Sequence, residues 1–449
     1  MGCHPNHPDC ATKLFYAITE EVQWGNEMTA DREDVDIDKT VMELVMTDDM
    51  ARKKQLAGMI FNSAHEAGSY PSSIHEFYMG RGKGEFSGFT VPAINLRSMT
   101  YDLARRVFRV AKRHNSGAFI FEIARSEIGY TNQSPMEFSG VVMAAATRER
   151  YQGPVFIQGD HFQVNAAKFK ESPDKETSSM QALITDAINS GFYNIDIDSS
   201  TLVDLSKPTL KQQQLLNYDV CAKLTQFIRR VQPEGITVSV GGEIGEIGHQ
   251  NSTPEDLRTY MAGLKERLSN GHVGISKLSV QTGTTHGGIV LPDGSIAQIK
   301  LDFNTLQTLS EIARKEYGLA GAVQHGASTL PPEAFHRFVE CETAEVHLAT
   351  EFQNMIYESK HFPAVLKKRI YEWLKVNAAN EAKCGETEEQ FLYKTRKKAL
   401  GPFKKEIMGM SQETRDSIAD EIENKFEYLF RQLNAINKSY LIDKYVHTT

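Results

Sequence analysis

Val155-Phe156-Ile157-Gln158-Gly159-Asp160-His161 is the stretch that decides how this chain is read. A short apolar run, the pattern of a buried strand, ends in an acid and then a histidine. Two more histidines stand at similar strand ends far downstream. One is His286 in Thr284-Thr285-His286-Gly287-Gly288, the other His325 in Ala322-Val323-Gln324-His325-Gly326-Ala327-Ser328. Three imidazoles from three strand ends suit a catalytic zinc, which takes three protein ligands and keeps one position open. The His-Gly steps leave room for a ligand and expose backbone N–H groups to it. Asp160, beside the first histidine, is the candidate acid/base.

Outward from that stretch, β-rich runs alternate with amphipathic helical ones. The runs are Phe89–Ile94, Ala118–Ile123, Pro154–Gln158, Tyr193–Ile197, Ile236–Val240, Gly274–Ser279, Ala320–Gln324 and Ala344–Leu348. Strand–helix alternation implies a parallel sheet. Eight units over 89–355 predict an α/β fold of the (β/α)8 barrel type. A doubly wound sheet usually carries a glycine-rich phosphate loop after its first strand. Here that place holds Asn95-Leu96-Arg97-Ser98. The barrel is expected to have helical extensions at 1–88 and 356–449. Gly80-Arg81-Gly82-Lys83-Gly84 reads as a turn before the barrel, with Arg81 and Lys83 as solvated loop charges, or as cationic contacts for a phosphate if the loop folds over the rim.

A barrel should gather its chemistry at the C-terminal ends of its strands. Asp160, His161, Asp198, Glu243, His286 and His325 all fall there. In Ile195-Asp196-Ile197-Asp198 both acids share one strand face. Asp198 lies nearer the rim and is the better support for a metal ligand. Glu243, in Gly241-Gly242-Glu243-Ile244-Gly245, suits a proton donor. Gly287, Gly326, Ser328 and Thr350 offer backbone and hydroxyl donors for a phosphate.

Fifty basic and 58 acidic residues leave a net charge of −8 over 449 residues. A mildly acidic chain with interspersed signs argues against nucleic acid as partner. No run approaches the roughly 20 apolar residues of a membrane span, and the N-terminus lacks a signal pattern, so a cytoplasmic protein is expected. Cys3, Cys10, Cys221, Cys341 and Cys384 are scattered, unlike a disulfide framework. The Cys3–Cys10 cluster with His4 and His7 reads as an adventitious metal binder.

Taken in order, these motifs resemble the class II, zinc-dependent ketose-bisphosphate aldolases. The parallels are the Asp160-His161 pair, Ile197-Asp198-Ser199-Ser200, Glu243-Ile244-Gly245, Thr285-His286-Gly287, His325-Gly326-Ala327-Ser328 and Val346-His347-Leu348-Ala349-Thr350-Glu351. The resemblance implies reversible cleavage of a ketose phosphate, such as fructose 1,6-bisphosphate, to dihydroxyacetone phosphate and glyceraldehyde 3-phosphate. It implies one zinc ion on His161, His286 and His325, and allows a monovalent cation. Asp160 would be the base and Glu243 the proton donor, with Asp198, Asn95 and His347 near metal or substrate. It also implies a homo-oligomer, a dimer or larger. Three positions depart from the family: His347 replaces a frequent Asn, Gly241 a frequent Glu, and Glu345 a frequent Lys. Gly129-Tyr130-Thr131-Asn132-Gln133-Ser134-Pro135 is similar to the Z-type subunit of tagatose-bisphosphate aldolase, so a non-catalytic accessory subunit is one rival reading. A zinc lyase acting on a different sugar phosphate is another, and a zinc hydrolase on a barrel ranks last.

Overall fold

The computed structural model describes residues 35–245, 250–268, 271–283 and 301–446. Eight parallel strands close into a barrel: β2 (Val91–Asn95), β3 (Ile120–Ala124), β4 (Gly153–Gln163), β5 (Asn194–Asp198), β6 (Ser239–Glu243), β7 (Lys277–Val280), β8 (Ala322–Gln324) and β9 (Glu345–Leu348). Closure comes from β9 pairing with β2, Val91 opposite Glu345 and Ile94 opposite Leu348. Every residue of β2, β3 and β5–β9 is buried, as expected for strands covered by helices outside and side chains inside. All eight expected strands are present, their ends within three residues of the expectation except that of β4, which runs five residues further, to Gln163.

The helices start and stop where local chemistry directs. Ser134 caps Pro135–Arg148, accepting the Glu137 N–H, and proline occupies the first turn, where its missing N–H is no loss. Thr253 and Asp256 cap Pro254–Arg267 reciprocally. Phe303–Tyr317 starts at the Asp302 cap and ends on Gly318 in the left-handed conformation, φ +67°.

A ninth strand, β1 (Ser69–Ser72), pairs with the first half of β4, from Ser69 opposite Gly153 to Ser72 opposite Phe156. β5 pairs with the second half of β4, so β1 extends the wall at the N-terminal end. Helix His75–Gly82 follows and closes that end with fully buried Phe77 and Tyr78. Arg81 lies on this helix and is fully buried, contrary to the expected solvated loop charge. Its guanidinium donates to the carbonyls of Phe89, Ala320 and Thr343, each just before a barrel strand. Burial depresses its pKa to about 10, partly offset by Glu342. The glycines read as a turn, whereas the helix is held by distant partners that the local sequence does not show.

The C-terminal helices lie on the barrel flank. Gln412–Gln432 runs along Thr100–Arg113, with Arg106 Nη2 2.6 Å from Asp416 Oδ1 and Arg415 Nε 3.1 Å from buried Asp102 Oδ2. The last helix, Ser439–Tyr445, reaches the closed end, where Tyr445 meets Phe77 and Phe86.

Candidate functional site

β4 does not stop before Asp160 but continues to Gln163 through a bulge. Gly159 pairs with Ile195 and Phe162 with Ile197, so three steps on β4 span two on β5. His161 takes up the extra residue with φ +38°, a left-handed conformation costing a non-glycine residue on the order of 1 kcal/mol. Successive side chains on a regular strand point to opposite faces. Here the bulge turns both Asp160 and His161 into the barrel mouth. Phe162 falls back to the outer layer, its ring so close over Gly159 that a Cβ there would meet it at 2.5 Å.

His325, just past β8, lies tilted against His161 with ring centroids 3.9 Å apart, and the ring of His347 of β9 lies 4.1 Å from that of His325. One nitrogen of each of the first two rings has a polar partner. His161 Nδ1 sits 3.2 Å from Asp198 Oδ2 and 3.1 Å from Glu243 Oε2. His325 Nε2 sits 2.9 Å from Ser279 Oγ. The remaining nitrogens, His161 Nε2 and His325 Nδ1, lie 3.9 and 3.8 Å from Asp160 Oδ1. A partner on one ring nitrogen fixes the orientation of the ring, as around a metal ligand. Asp198 is held in turn by Ser200 and Gln163.

The local charge is lopsided. Glu122, Asp160, Asp196, Asp198, Glu243 and Glu345 are all buried, and Lys277 is buried among them. Burial pushes the Glu243 carboxyl up to about 7, and Asp198 beside it adds to the shift. Burial opposes a proton on His161, yet Asp160, Glu243 and Asp198 outweigh it and raise its pKa well above the usual value. His347 is raised in the same way by Glu122 and Asp160. Such a site calls for positive charge, and nitrogen and carboxylate donors in this mixture fit a divalent transition metal. Asp160, His161 and His325 form one candidate ligand group, and His161, Asp198 and Glu243 another.

His286 and Gly287 lie outside the described residues, as does the Cys3–Cys10 cluster. Asn95 is buried at the end of β2, beside the cavity-lining Glu127. Its Nδ2 donates to Glu127 Oε2 at 2.7 Å. Gly326, Ser328 and Thr350 do line the cavity, and Arg97 Nη1 lies 3.4 Å from Thr350 Oγ1.

The three departures from the family form one cluster beneath the histidines. Lys277 Nζ lies 2.9 Å from Asp196 Oδ2, 2.6 Å from Glu345 Oε1 and 2.7 Å from Gln158 Oε1. Burial opposes ionisation of Glu345, but Lys277 and His347 hold its carboxyl below the usual range. A Cβ on residue 241 would meet Asp196 Oδ1 at 2.2 Å and Lys277 Cε at 3.1 Å, so Gly241 makes room for the pair. Glu345 also bonds Tyr78 from the closing helix and lies 2.6 Å from His347 Nε2. Lys277, Gln158 and Glu122 were not singled out from the sequence. A lysine in an alternating Ser276-Lys277-Leu278-Ser279 run reads as a solvent-facing residue.

Above the histidines opens a cavity of about 1130 Å³, walled by the loops after β3, β4, β8 and β9 and by residues 383–397 of the C-terminal extension. Among the described residues no helix is long and apolar enough to cross a membrane.

Among solved structures, a probable tagatose 6 phosphate kinase from Sinorhizobium meliloti 1021 is 16% identical, with a TM-score of 0.53 over 78% of this chain and 99% of that one. The fructuronate-tagaturonate epimerase UxaE from Cohnella laeviribosi is 11% identical, with a TM-score of 0.51 over 88% of this chain and 86% of that one. A fructose-bisphosphate aldolase from Campylobacter jejuni is 17% identical, with a TM-score of 0.49 over 83% of this chain and 96% of that one. At these identities the likeness shows the fold alone. No curated protein matches the chain. The family described as fructose-bisphosphate aldolase class-II matches it over residues 83–432, most of its length, and the chain belongs to that family.

Proposed function

We propose that this protein is a metal-dependent aldolase that reversibly cleaves a ketose phosphate, such as fructose 1,6-bisphosphate, to dihydroxyacetone phosphate and an aldehyde. One observation carries the reading. His161 Nε2 and His325 Nδ1 both face Asp160 Oδ1, at 3.9 and 3.8 Å, on the floor of the cavity of a class II family member.

His161 and His325 would hold the metal, with His286 as the expected third ligand. Zinc is the expected ion, and when bound it polarises the substrate carbonyl and steadies the charge of the enediolate. Asp160 takes the proton from the hydroxyl on the carbon beyond the scissile bond. The carbon–carbon bond breaks, that carbon becomes the aldehyde, and the bonding electron pair stays with the ketose-derived fragment. Glu243 gives a proton to the resulting carbanion. Asp198 keeps His161 oriented through Nδ1. Ser328, Gly326 and Thr350 receive a phosphate. A cytoplasmic homo-oligomer is the expected form.

The test combines metal analysis with a coupled assay for triose phosphate release from fructose and tagatose 1,6-bisphosphates, with and without chelator. About one zinc per chain and chelator-sensitive release support the reading. Asp160→Asn should retain the metal and lose turnover. Metal without cleavage of either sugar would sink the substrate assignment.

A further inference from the structure

Residues 383–397 lie past the last barrel strand, yet they form one wall of the cavity. The segment is pinned at its C-terminal end. Buried Arg396 reaches Glu358 Oε1 at 3.1 Å, its guanidinium lies 4.5 Å from the Tyr393 ring, and its carbonyl accepts the Tyr357 hydroxyl at 3.1 Å. Further on, the Gly401 N–H donates to the Tyr130 carbonyl at 3.0 Å, tying the segment to helix Arg125–Thr131.

The neighbouring basic groups are already satisfied. Lys394 is paired with Glu386, Lys398 with Glu381 and Arg396 with Glu358. Lys397 differs. It is exposed to the cavity and has no hydrogen bond or ion pair among the described residues, with the Tyr130 ring 5.9 Å from its ammonium. Arg97 faces the same cavity. It uses Nε on Glu127 at 2.7 Å and Nη1 on Thr350 Oγ1 at 3.4 Å. Packing around its stem and the charge of Arg97 lower the Lys397 pKa, and the Glu127 carboxylate, already engaged by Arg97, offsets this only in part.

We propose that segment 383–397 builds an anion subsite over the barrel mouth, in which Lys397 and Arg97 receive a phosphate monoester of the substrate. This rests on the reading of the substrate as a sugar phosphate and adds a residue, outside the barrel, that recognises it. An ammonium, a guanidinium and the hydroxyls of Ser328 and Thr350 line the same cavity, with Arg97 Nη1 3.4 Å from Thr350 Oγ1. That suits the three oxygens of a phosphate better than the coplanar pair of a carboxylate.

The test is titration calorimetry of inorganic phosphate into the metal-loaded protein, as wild type, Lys397→Gln and Lys397→Arg, with acetate as carboxylate probe. Lys397→Gln should weaken phosphate binding at least about tenfold, and Lys397→Arg should restore most of it. Undiminished binding in Lys397→Gln overturns the proposal, and so does acetate binding as tightly as phosphate. A second readout needs no variant. Phosphate should slow acylation of Lys397, followed by mass spectrometry, but not that of Lys360, which lies outside the cavity. Equal labelling with and without phosphate also overturns it. Neither readout needs turnover. Phosphate bound through Lys397 without sugar cleavage would sink the aldolase reading and leave the subsite standing. Cleavage with no phosphate effect at Lys397 would do the reverse.

Discussion

His347 Nδ1 lies 3.1 Å from Asp160 Oδ1, so an imidazole from β9 touches the carboxylate proposed as the base. The same nitrogen lies 3.0 Å from Glu122 Oε2, and the other nitrogen 2.6 Å from Glu345 Oε1. His347 therefore bridges Asp160 to the carboxylates of the barrel interior. Replacing it by Asn, the family's frequent residue, removes a cation between three carboxylates. His347→Asn should lower kcat about 10–100-fold while metal content stays near wild type, as expected for a group that orients the site without ligating. Loss of metal in that variant would make His347 a ligand.

Lys277 is the counter-ion that makes this interior tolerable. Lys277→Met would leave Asp196 and Glu345 buried without their ammonium, a loss of about 3–5 kcal/mol. Urea unfolding should show it. Adding Glu345→Gln to that variant should recover part of the loss. No recovery would mean that Lys277 acts mainly through packing.

Acid sensitivity should have one source away from the site. Burial, helped by Arg229, lowers the His75 pKa from 6.5 to about 4. Between those values the unfolded chain binds the proton and the folded chain does not. Stability is therefore lost as pH falls from about 6.5 to about 4, by up to ~3 kcal/mol, and is unaffected by this group above that window. His75→Gln should flatten that part of the curve of unfolding free energy against pH. An unchanged slope would exclude His75 as the cause.

Gly401 fixes how near the C-terminal wall stands to the mouth. A Cβ there would meet the Tyr130 carbonyl at 2.6 Å and Asn132 Nδ2 at 2.9 Å. Gly401→Val should push the wall outward, raise KM several-fold, and cost about 1–3 kcal/mol of stability. A stability loss with unchanged KM would show that the wall does not touch substrate.

Much of this architecture was legible in the chain. Runs such as Val155–Ile157 and Ala344–Leu348 are apolar and short between helical periods, and buried parallel strands leave that mark whatever their partners. The convergence of His161 and His325 follows from strand ends sharing a rim. β1 was missed because Ser69-Tyr70-Pro71-Ser72 carries no period of its own and becomes a strand only against β4. The meaning of Gly241, Glu345 and His347 was hidden for a related reason. Read singly they are three departures. Only the closed barrel sets Lys277 beside them and shows that a carboxylate on β9 answers a lysine on β7.

The bulge at Asp160–His161 has a consequence for how this strand can change. Two neighbouring side chains serve the site only because the halves of β4 are out of phase by one residue. No substitution alters that phase. Deleting one residue between Gly159 and Phe162 would restore simple alternation and let the backbone ladder re-form, while sending one of the two groups into the outer helical layer. A folded but inert barrel is thus one codon away, and an ancestor with regular pairing here would have needed an insertion before it could acquire the adjacent acid and histidine.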